Sequence, residues 1–167
     1  DWAPPAVPVP TRSVQVAAQV QTDGVPSLGD AADDPAIWVN AQHPERSRVL
    51  GTDKKGGLLV YDLAGQQVQH LPVGRLNNVD LRPGFTLGNR QVDLAVASNR
   101  DHNSLHLFAI DPASGVLSDI GQIATPLKAI YGLCLFKDRQ GAVHAVVNDK
   151  DGTFLQYRLE GASGTPR

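Results

Sequence analysis

The chain of 167 residues contains no methionine, a single cysteine and only 5% aromatic residues. Because Cys134 has no second cysteine to pair with, no disulfide can form within the chain. Cys134 lies in the apolar run 131–136, where a buried and unreactive thiol is expected. The absence of methionine predicts that the sequence is not an intact translation product, so that either a leader has been removed or the chain is part of a longer one.

Charge and long apolar runs are also scarce. Charged residues make up 19% of the chain, the net charge is -2, and no run is rich in lysine or arginine. Nucleic acid is therefore not expected as a partner. No stretch approaches 18 uninterrupted apolar residues, so no membrane partner is expected either. The 41% apolar content suffices for the core of one domain, while 16 glycines and 12 prolines indicate many turns between short strands.

The composition divides the chain into three parts. Residues 1–12 form a proline-rich N-terminal extension, which is too rich in proline for a helix. Residues 13–160 form the main domain, and residues 161–167 are expected to be a flexible tail. Within the domain, the alternation of Val14, Val16 and Ala18 predicts a strand over 13–20.

A strand–turn–strand unit recurs three times, over residues 48–61, 92–108 and 144–157. Each second strand carries an aromatic residue, so that Tyr61, Phe108 and Tyr157 follow one another at intervals of roughly 48 residues. Further strands are predicted before each unit, at 36–39, 78–81 and 131–136, and after the first two units, at 66–73 and 116–123. A repeat of this size built only of strands predicts an all-β fold, with the blades of a β-propeller.

The turns of this repeat carry cations at equivalent places, namely Lys54, Arg100 and Lys150. Equivalent turns of successive blades lie on one face of a propeller, so these three side chains are predicted to converge where a polyanion could bind. Arginine offers a bidentate fork for phosphate and lysine a point charge. The alternative is that they are solvated turn residues.

Acidic and amide side chains cluster before two of the predicted strands. The segment Gly29–Trp38 (GDAADDPAIW) places Asp30, Asp33 and Asp34 within five residues, in a predicted turn that leads into a strand. Converging carboxylates favour a hard divalent cation such as Ca²⁺ or Mg²⁺, although solvated acids in a turn are the alternative. The segment Asn77–Arg82 (NNVDLR) is a second oxygen-rich strand entry.

These two segments together resemble the paired motifs of the β-propeller phytases, which are calcium-dependent alkaline phytases. The resemblance continues through 52–57 (TDKKGG), 97–100 (ASNR), 131–132 (YG) and 149–152 (DKDG), and it covers residues 29–159. It implies a six-bladed propeller of four-stranded antiparallel blades, of which about three are present here.

The resemblance also implies a site. It assigns phosphate contacts to Lys54, Arg100, Tyr131 and Lys150. It assigns Ca²⁺ binding to the side chains of Asp33 and Asp34 and to the main-chain carbonyls of Pro35 and Val79. Asp80 and Asn77 are expected to order the second motif, and Lys55 is either a further phosphate contact or solvated.

The activity implied is calcium-dependent hydrolysis of the phosphomonoesters of phytate (myo-inositol hexakisphosphate), of the 3-phytase type, by in-line attack of a metal-bound water without a covalent intermediate. The sequence has no segment like the RHGxRxP motif of the histidine acid phosphatases, and its five histidines show no zinc spacing. Such enzymes are secreted or periplasmic.

Two alternatives remain. One is a non-catalytic half-propeller, from a tandem-domain phytase, that binds phytate or docks on a full domain. The other is a different calcium-bearing propeller, such as a lactonase, which the three cations disfavour because a lactone carries no phosphate. The family completes its calcium cluster with acidic residues of later blades, so residues 1–167 alone are expected to be inactive without a C-terminal half or a second copy.

Overall fold

A computed structural model describes residues 12–161, 164 and 166. The proline-rich residues 1–11 and the tail residues 162, 163, 165 and 167 lie outside the described residues. The described part forms eleven strands and a single short 3₁₀ helix, Pro44–Arg46. The strands are β1 (Ala32–Trp38), β2 (Arg48–Asp53), β3 (Gly57–Tyr61), β4 (Gln67–Leu71), β5 (Leu76–Leu87), β6 (Arg90–Asn99), β7 (Ser104–Ile110), β8 (Leu117–Ala124), β9 (Ile130–Lys137), β10 (Val143–Asp149) and β11 (Phe154–Leu159).

The strands form three antiparallel sheets in chain order, which are called blades 1, 2 and 3 below. Blade 1 has the order β1-β2-β3-β4, blade 2 the order β5-β6-β7-β8, and blade 3 contains β9, β10 and β11 with β10 in the centre. Each blade is a meander of neighbouring strands. The prediction of an all-β fold with four-stranded antiparallel blades is therefore confirmed. As predicted, blade 3 has no fourth strand within the described residues, and those residues form no closed ring.

Blade 2 lies between the other two, and its central strands show this in their burial. All seven residues of β7 are buried, because one face of the strand packs on blade 1 and the other on blade 3. Phe108 and Ile110 pack with Trp38 and Leu50 of blade 1. Leu105 and Leu107 pack in the second cluster, whose residues from blade 3 include Ala145, Val147 and Leu159.

The strand predicted over residues 13–20 is absent. The described residues 12–25 form no strand, and Val14 and Val16 are 71% and 87% exposed. The alternation of apolar residues has no sheet edge or core to pack against here, so the pattern does not become a strand.

The prediction that Cys134 is buried is wrong, because the thiol is exposed. Cys134 lies on β9 and points to the opposite side of the sheet from Leu135, which is buried in the core. No described residue covers that outer side of blade 3, so the apolar sequence around Cys134 is not evidence of its burial.

The first strand of every blade contains a β-bulge at the same level, in which two residues oppose one residue of the neighbouring strand. The bulges place Asp33 and Asp34 opposite Thr52, Asn77 and Asn78 opposite Ser98, and Tyr131 and Gly132 opposite Asn148. The acidic pair was predicted in a turn before the strand, but it lies inside β1. Pro35 is tolerated there because β1 is the edge strand of its sheet and the residue adjoins the bulge.

Candidate functional site

A repeated main-chain hydrogen bond holds the three turn cations at one edge of the blades. The backbone N–H groups of Lys54, Arg100 and Lys150 donate to the carbonyls that precede the first strand of the same blade, at Ala31, Arg75 and Ala129, over 2.8, 2.8 and 3.2 Å. Each cation therefore leaves the sheet next to the bulge of its own blade. This explains why a sequence repeat of strands also repeats the position of a charge.

The residue before each cation stabilises the turn, because its side chain accepts hydrogen bonds from backbone N–H groups. Asp53 Oδ1 accepts the backbone N–H of Lys55 over 2.8 Å, and Asn99 Oδ1 accepts that of Asp101 over 2.9 Å. Asp149 Oδ2 accepts the N–H groups of Lys128 and Ala129 over 2.7 and 3.0 Å. The bonds from these backbone N–H groups, led by that of Ala129, lower the pKa of Asp149.

In blade 2 the hydrogen bonds that stabilise the turn extend into the sheet. The side-chain amide of Asn99, which is fully buried, donates to the carbonyl of Val73 over 2.9 Å and lies 3.2 Å from His106 Nδ1. His106 is itself buried and stacks on Phe108 with 4.8 Å between the ring centroids. The turn that carries Arg100 is thus anchored by a polar network inside the sheet.

The predicted phosphate-binding residues line one cavity of about 320 Å³, called the main cavity below. It is lined by Asp30, Lys54, Lys55, Arg75, Asn77, Arg100, Tyr131 and Lys150. All four side chains predicted from the resemblance are therefore brought together, although their sequence positions span 97 residues. The cavity walls contain five cations and one carboxylate, which favours an anionic ligand.

Lys54 is held by two carboxylates at the wall of the main cavity. Its Nζ lies 2.6 Å from Asp30 Oδ1 and 3.7 Å from Asp33 Oδ1. The hydrogen bond that Lys54 donates to Asp30 raises the pKa of Lys54, and the same bond lowers the pKa of Asp30. Lys54 therefore keeps its positive charge at neutral pH, and a phosphate must compete with Asp30 for it.

Tyr131 and Lys150 form a second contact in the cavity. Lys150 Nζ lies 5.0 Å from the centroid of the Tyr131 ring, which is within range of a cation–π interaction. Tyr131 is in the bulge of β9, and its carbonyl accepts the Ser98 hydroxyl over 2.6 Å. The main chain at Tyr131 is thereby fixed to blade 2 while 43% of the residue's surface remains open to solvent.

A second, smaller cavity of about 170 Å³ adjoins the main cavity and is called the side cavity below. The two share Arg75, Arg100 and Lys150, and the side cavity adds Asn103, Lys128, Ala129 and Ile130. The sequence reasoning missed Arg75 and Lys128, and it gave Asp30 no contact with Lys54. All three precede a bulge pair by two or three residues, a relation that becomes visible only once the strand registers are known.

The acidic motif lines a different cavity, of about 290 Å³, to which Asp33, Asp34 and Pro35 contribute but Val79 does not. Asp34 Oδ2 accepts the backbone N–H of Val79 over 3.0 Å. This hydrogen bond joins two of the residues predicted to bind calcium. Within the described residues, no three His, Cys, Asp or Glu side chains converge as they would around a metal ion. The two carboxylates suit a hard cation, but they supply only part of the six to eight oxygens that Ca²⁺ takes.

Asp80 joins blades 2 and 3, as an ordering residue of its motif would. Its Oδ2 accepts the N–H of Leu135 over 2.7 Å, and its Oδ1 lies 2.7 Å from Arg82 Nη1. Arg82 Nη2 donates in turn to the Leu135 carbonyl. The carbonyl of Asn77 accepts the hydroxyl of Thr52 over 2.6 Å, which joins blades 1 and 2 in the same way.

The fold and this edge define a class: an array of propeller-type blades whose successive turns present cations to shared cavities. The model of the phytase family matches residues 6–165 of the chain. The chain is also 44% identical to a 3-phytase of Bacillus subtilis (strain 168) over 158 residues, which is 90% of this chain and 41% of that protein. The chain belongs to the phytase family, with blades of the β-propeller type, and it spans about two fifths of the length of this relative.

No helix within the described ranges is long and apolar enough to span a membrane.

Proposed function

We propose that the protein hydrolyses phosphomonoesters of phytate in a reaction that depends on calcium. The observation that carries the proposal is the convergence of Lys54, Arg100, Tyr131 and Lys150 on the main cavity. The 3-phytase of Bacillus subtilis supports the same substrate class. The chain covers only about two fifths of that relative, so the activity is proposed for the protein to which this sequence belongs.

The cations differ in geometry, so each would make a different contact with the substrate. Arg100 has no carboxylate partner among residues 12–161, so its fork is free to bind two oxygens of the reacting phosphate. Lys54 stabilises charge on the same group as a point charge once it leaves Asp30. Tyr131 and Lys150 hold a neighbouring phosphate and so orient the inositol ring.

Asp33 and Asp34, with the carbonyls of Pro35 and Val79, are the residues that would hold calcium. When bound, calcium would offset substrate charge and lower the pKa of a coordinated water. Lys54 lies 3.7 Å from Asp33, so this acidic motif adjoins the cation that would contact the reacting phosphate.

A non-catalytic phytate-binding module is the second candidate. Two carboxylates are few for a calcium site, and this observation favours binding without turnover by these residues alone. The two candidates differ in one measurable respect, since only the enzyme releases inorganic phosphate.

The test is phosphate release from phytate by the complete protein with calcium, compared with the Arg100→Ala variant. Removing the unpaired guanidinium should lower kcat/KM about 100-fold, as the loss of one preorganised charge donor does elsewhere. Arg139→Ala is the matched control, because Arg139 is exposed in the turn at the opposite end of blade 3. Near-normal turnover of Arg100→Ala would show that Arg100 is a solvated turn residue, and phytate binding without any release would favour the binding module.

A further inference from the structure

Two histidines of this chain have the same kinds of neighbours. His106 stacks on Phe108 and His144 stacks on Phe136, each with 4.8 Å between the ring centroids. In both rings, Nε2 lies close to a carboxylate oxygen and Nδ1 lies 3.2 Å from the side-chain nitrogen of an amide residue. The two differ in the place of that amide residue, because only the one beside His106 adjoins a turn cation.

The amide residue beside His106 is Asn99, and two further hydrogen bonds fix its orientation. Its Oδ1 accepts the backbone N–H of Asp101 over 2.9 Å, and its Nδ2 donates to the Val73 carbonyl over 2.9 Å. Exchanging the oxygen and the nitrogen would place two donors together at Asp101 and two acceptors together at Val73. The atom of Asn99 that faces His106 is therefore the nitrogen, which can only donate.

This orientation decides which ring nitrogen of His106 carries a hydrogen. Nδ1 must offer a lone pair to the Asn99 amide, so the hydrogen of the neutral ring is on Nε2. Nε2 has no aligned hydrogen bond within the described residues, but Asp119 Oδ1 lies 3.1 Å away and favours a hydrogen on that side. Asp119 is itself held in place, since the same oxygen accepts the N–H of Gly121 over 2.8 Å.

The contact between the two side chains is shielded from water. His106 is 2% exposed and Asn99 is fully buried. Loss of the acceptor at Nδ1 would leave one hydrogen of the Asn99 amide without a partner, which is costly for a buried group. The amide would find another partner only by rotating away from Val73 or Asp101, and either movement changes the turn.

The turn that depends on this amide presents Arg100. Asn99 and Asp101 are its neighbours in the chain, and the backbone N–H of Arg100 donates to the Arg75 carbonyl over 2.8 Å. Asp101 in turn accepts the backbone N–H and the Nε–H of Arg75 over 2.9 and 2.6 Å. A movement of Asn99 would therefore displace the main chain on both sides of Arg100.

We propose that His106 is a positioning residue for Arg100: its Nδ1 accepts a hydrogen bond from Asn99 and so holds the turn that presents the guanidinium group to the main cavity. The part that Arg100 plays rests on the proposed function. His106 lines neither the main cavity nor the side cavity, so its effect on a ligand is indirect.

The experiment uses the different reach of two amide side chains. His106→Asn places an oxygen near the position of Nδ1 and keeps an acceptor for Asn99, whereas His106→Gln reaches the position of Nε2 and loses that acceptor. In the complete protein with phytate and calcium, we expect His106→Gln to lower kcat/KM about tenfold, since one buried hydrogen bond is lost. His106→Asn should retain most of the activity.

His144→Gln is the matched control. His144 has the same kinds of neighbours, but its amide partner Gln156 lies within β11 and not beside a turn cation. The substitution removes the same ring from a similar stack, so a loss that came from the stack alone would appear here as well. We expect kcat/KM to be unchanged in this variant.

Two further readouts separate positioning from a general loss of stability. In a double-mutant cycle, His106→Gln should have little further effect in the Arg100→Ala background, whereas a destabilised fold would lower activity in both backgrounds. In the unaltered protein at neutral pH, the nitrogen NMR resonances of the His106 ring should show a bare Nδ1 and a protonated Nε2.

Three outcomes would overturn the proposal: a hydrogen on Nδ1, an equal loss in His106→Asn and His106→Gln, and a full effect of His106→Gln in the Arg100→Ala background. The failure of the proposed function would look different, since the unaltered protein would then release no phosphate from phytate. The ring resonances would still decide the hydrogen bond, and the same cycle would be measured as phytate affinity by calorimetric titration in metal-free buffer.

Discussion

At the scale of single residues, Asp34 carries two duties that a substitution can separate. The first is a contact between blades, because one carboxylate oxygen accepts the Val79 N–H over 3.0 Å. The backbone N–H of Asp34, which any substitution except proline retains, donates to the Thr52 hydroxyl over 3.0 Å. The second is the binding of a cation. The remaining oxygen and the negative charge are available to a cation. A truncation to alanine would remove both duties, so it would not separate the loss of a metal site from the loss of a contact between blades.

Asp34→Asn retains an oxygen for the Val79 N–H and removes the charge. We therefore expect calcium affinity to fall at least about tenfold, because Ca²⁺ prefers carboxylates, while the thermal midpoint without calcium stays the same. Calorimetric titration with calcium measures the first quantity and calorimetric unfolding the second. Asp62→Asn is the control, since Asp62 also accepts backbone N–H groups but lies in an exposed turn of blade 1. Calcium binding that is the same in Asp34→Asn as in the unaltered protein would remove Asp34 from the proposed ligands.

At the scale of structural elements, the loop that enters β9 depends on one buried carboxylate. Asp149 accepts two N–H groups from this loop, which carries Lys128 and leads directly to Tyr131. Its pKa is lowered from an ordinary value of 3.8, chiefly by the backbone N–H of Ala129. A carboxyl group with a lowered pKa stabilises the fold above its ordinary value, and this contribution is lost as the pH falls through the lowered pKa.

The unaltered protein should therefore lose stability between about pH 5 and about pH 3, and the loss should be smaller in Asp149→Asn. The amide keeps an oxygen for the loop but cannot be protonated in this range. Urea unfolding at both pH values gives the comparison. Asp151→Asn, an exposed neighbour in the same turn, should behave like the unaltered protein. An unaltered acid dependence in Asp149→Asn would mean that other carboxylates account for it.

The elements also show how far sequence reasoning reaches. The strands and the turn cations were predictable because alternation, turn residues and the repeat are local patterns. The bulges were not predictable, because a bulge depends on how two strands pair, which a local sequence pattern does not show. Asp33 and Asp34 were therefore predicted to lie in a turn. Arg75 and Lys128 were missed for a related reason: no motif marks them, and they join the site only because the main chain before each bulge returns to the turn cations.

At the scale of the whole molecule, the blade array has two open sides. Ile37 and Val39 are 63% and 64% exposed beside blade 1, and Phe154 is 69% exposed on blade 3 together with the thiol of Cys134. Apolar side chains of this size favour contact with further protein. The edge of β11 adds to this tendency, since it pairs only with β10 within the described residues.

We expect the isolated 167-residue polypeptide to self-associate and to react rapidly with a thiol reagent without denaturant. The reaction should be much slower in any form in which another blade covers β9. Sedimentation reports the association, and the absorbance of a released thiolate reports the reaction. A monomer whose Cys134 reacts only after unfolding would contradict the exposed position of β9.

The bulges have a consequence for how such a binding edge can be altered. Regular pairing on both sides holds each bulge, so its two side chains can be exchanged without shifting the strands: one blade presents two carboxylates, the next two amides, the third a tyrosine and a glycine. Evolution or protein design can thus change ligand preference by substituting the two bulge residues of one blade while the strand pairing stays the same. The third pair has one restriction, because a Cβ at Gly132 would lie 2.5 Å from Asn148 Oδ1. A residue other than glycine at this position therefore requires the Asn148 side chain to move.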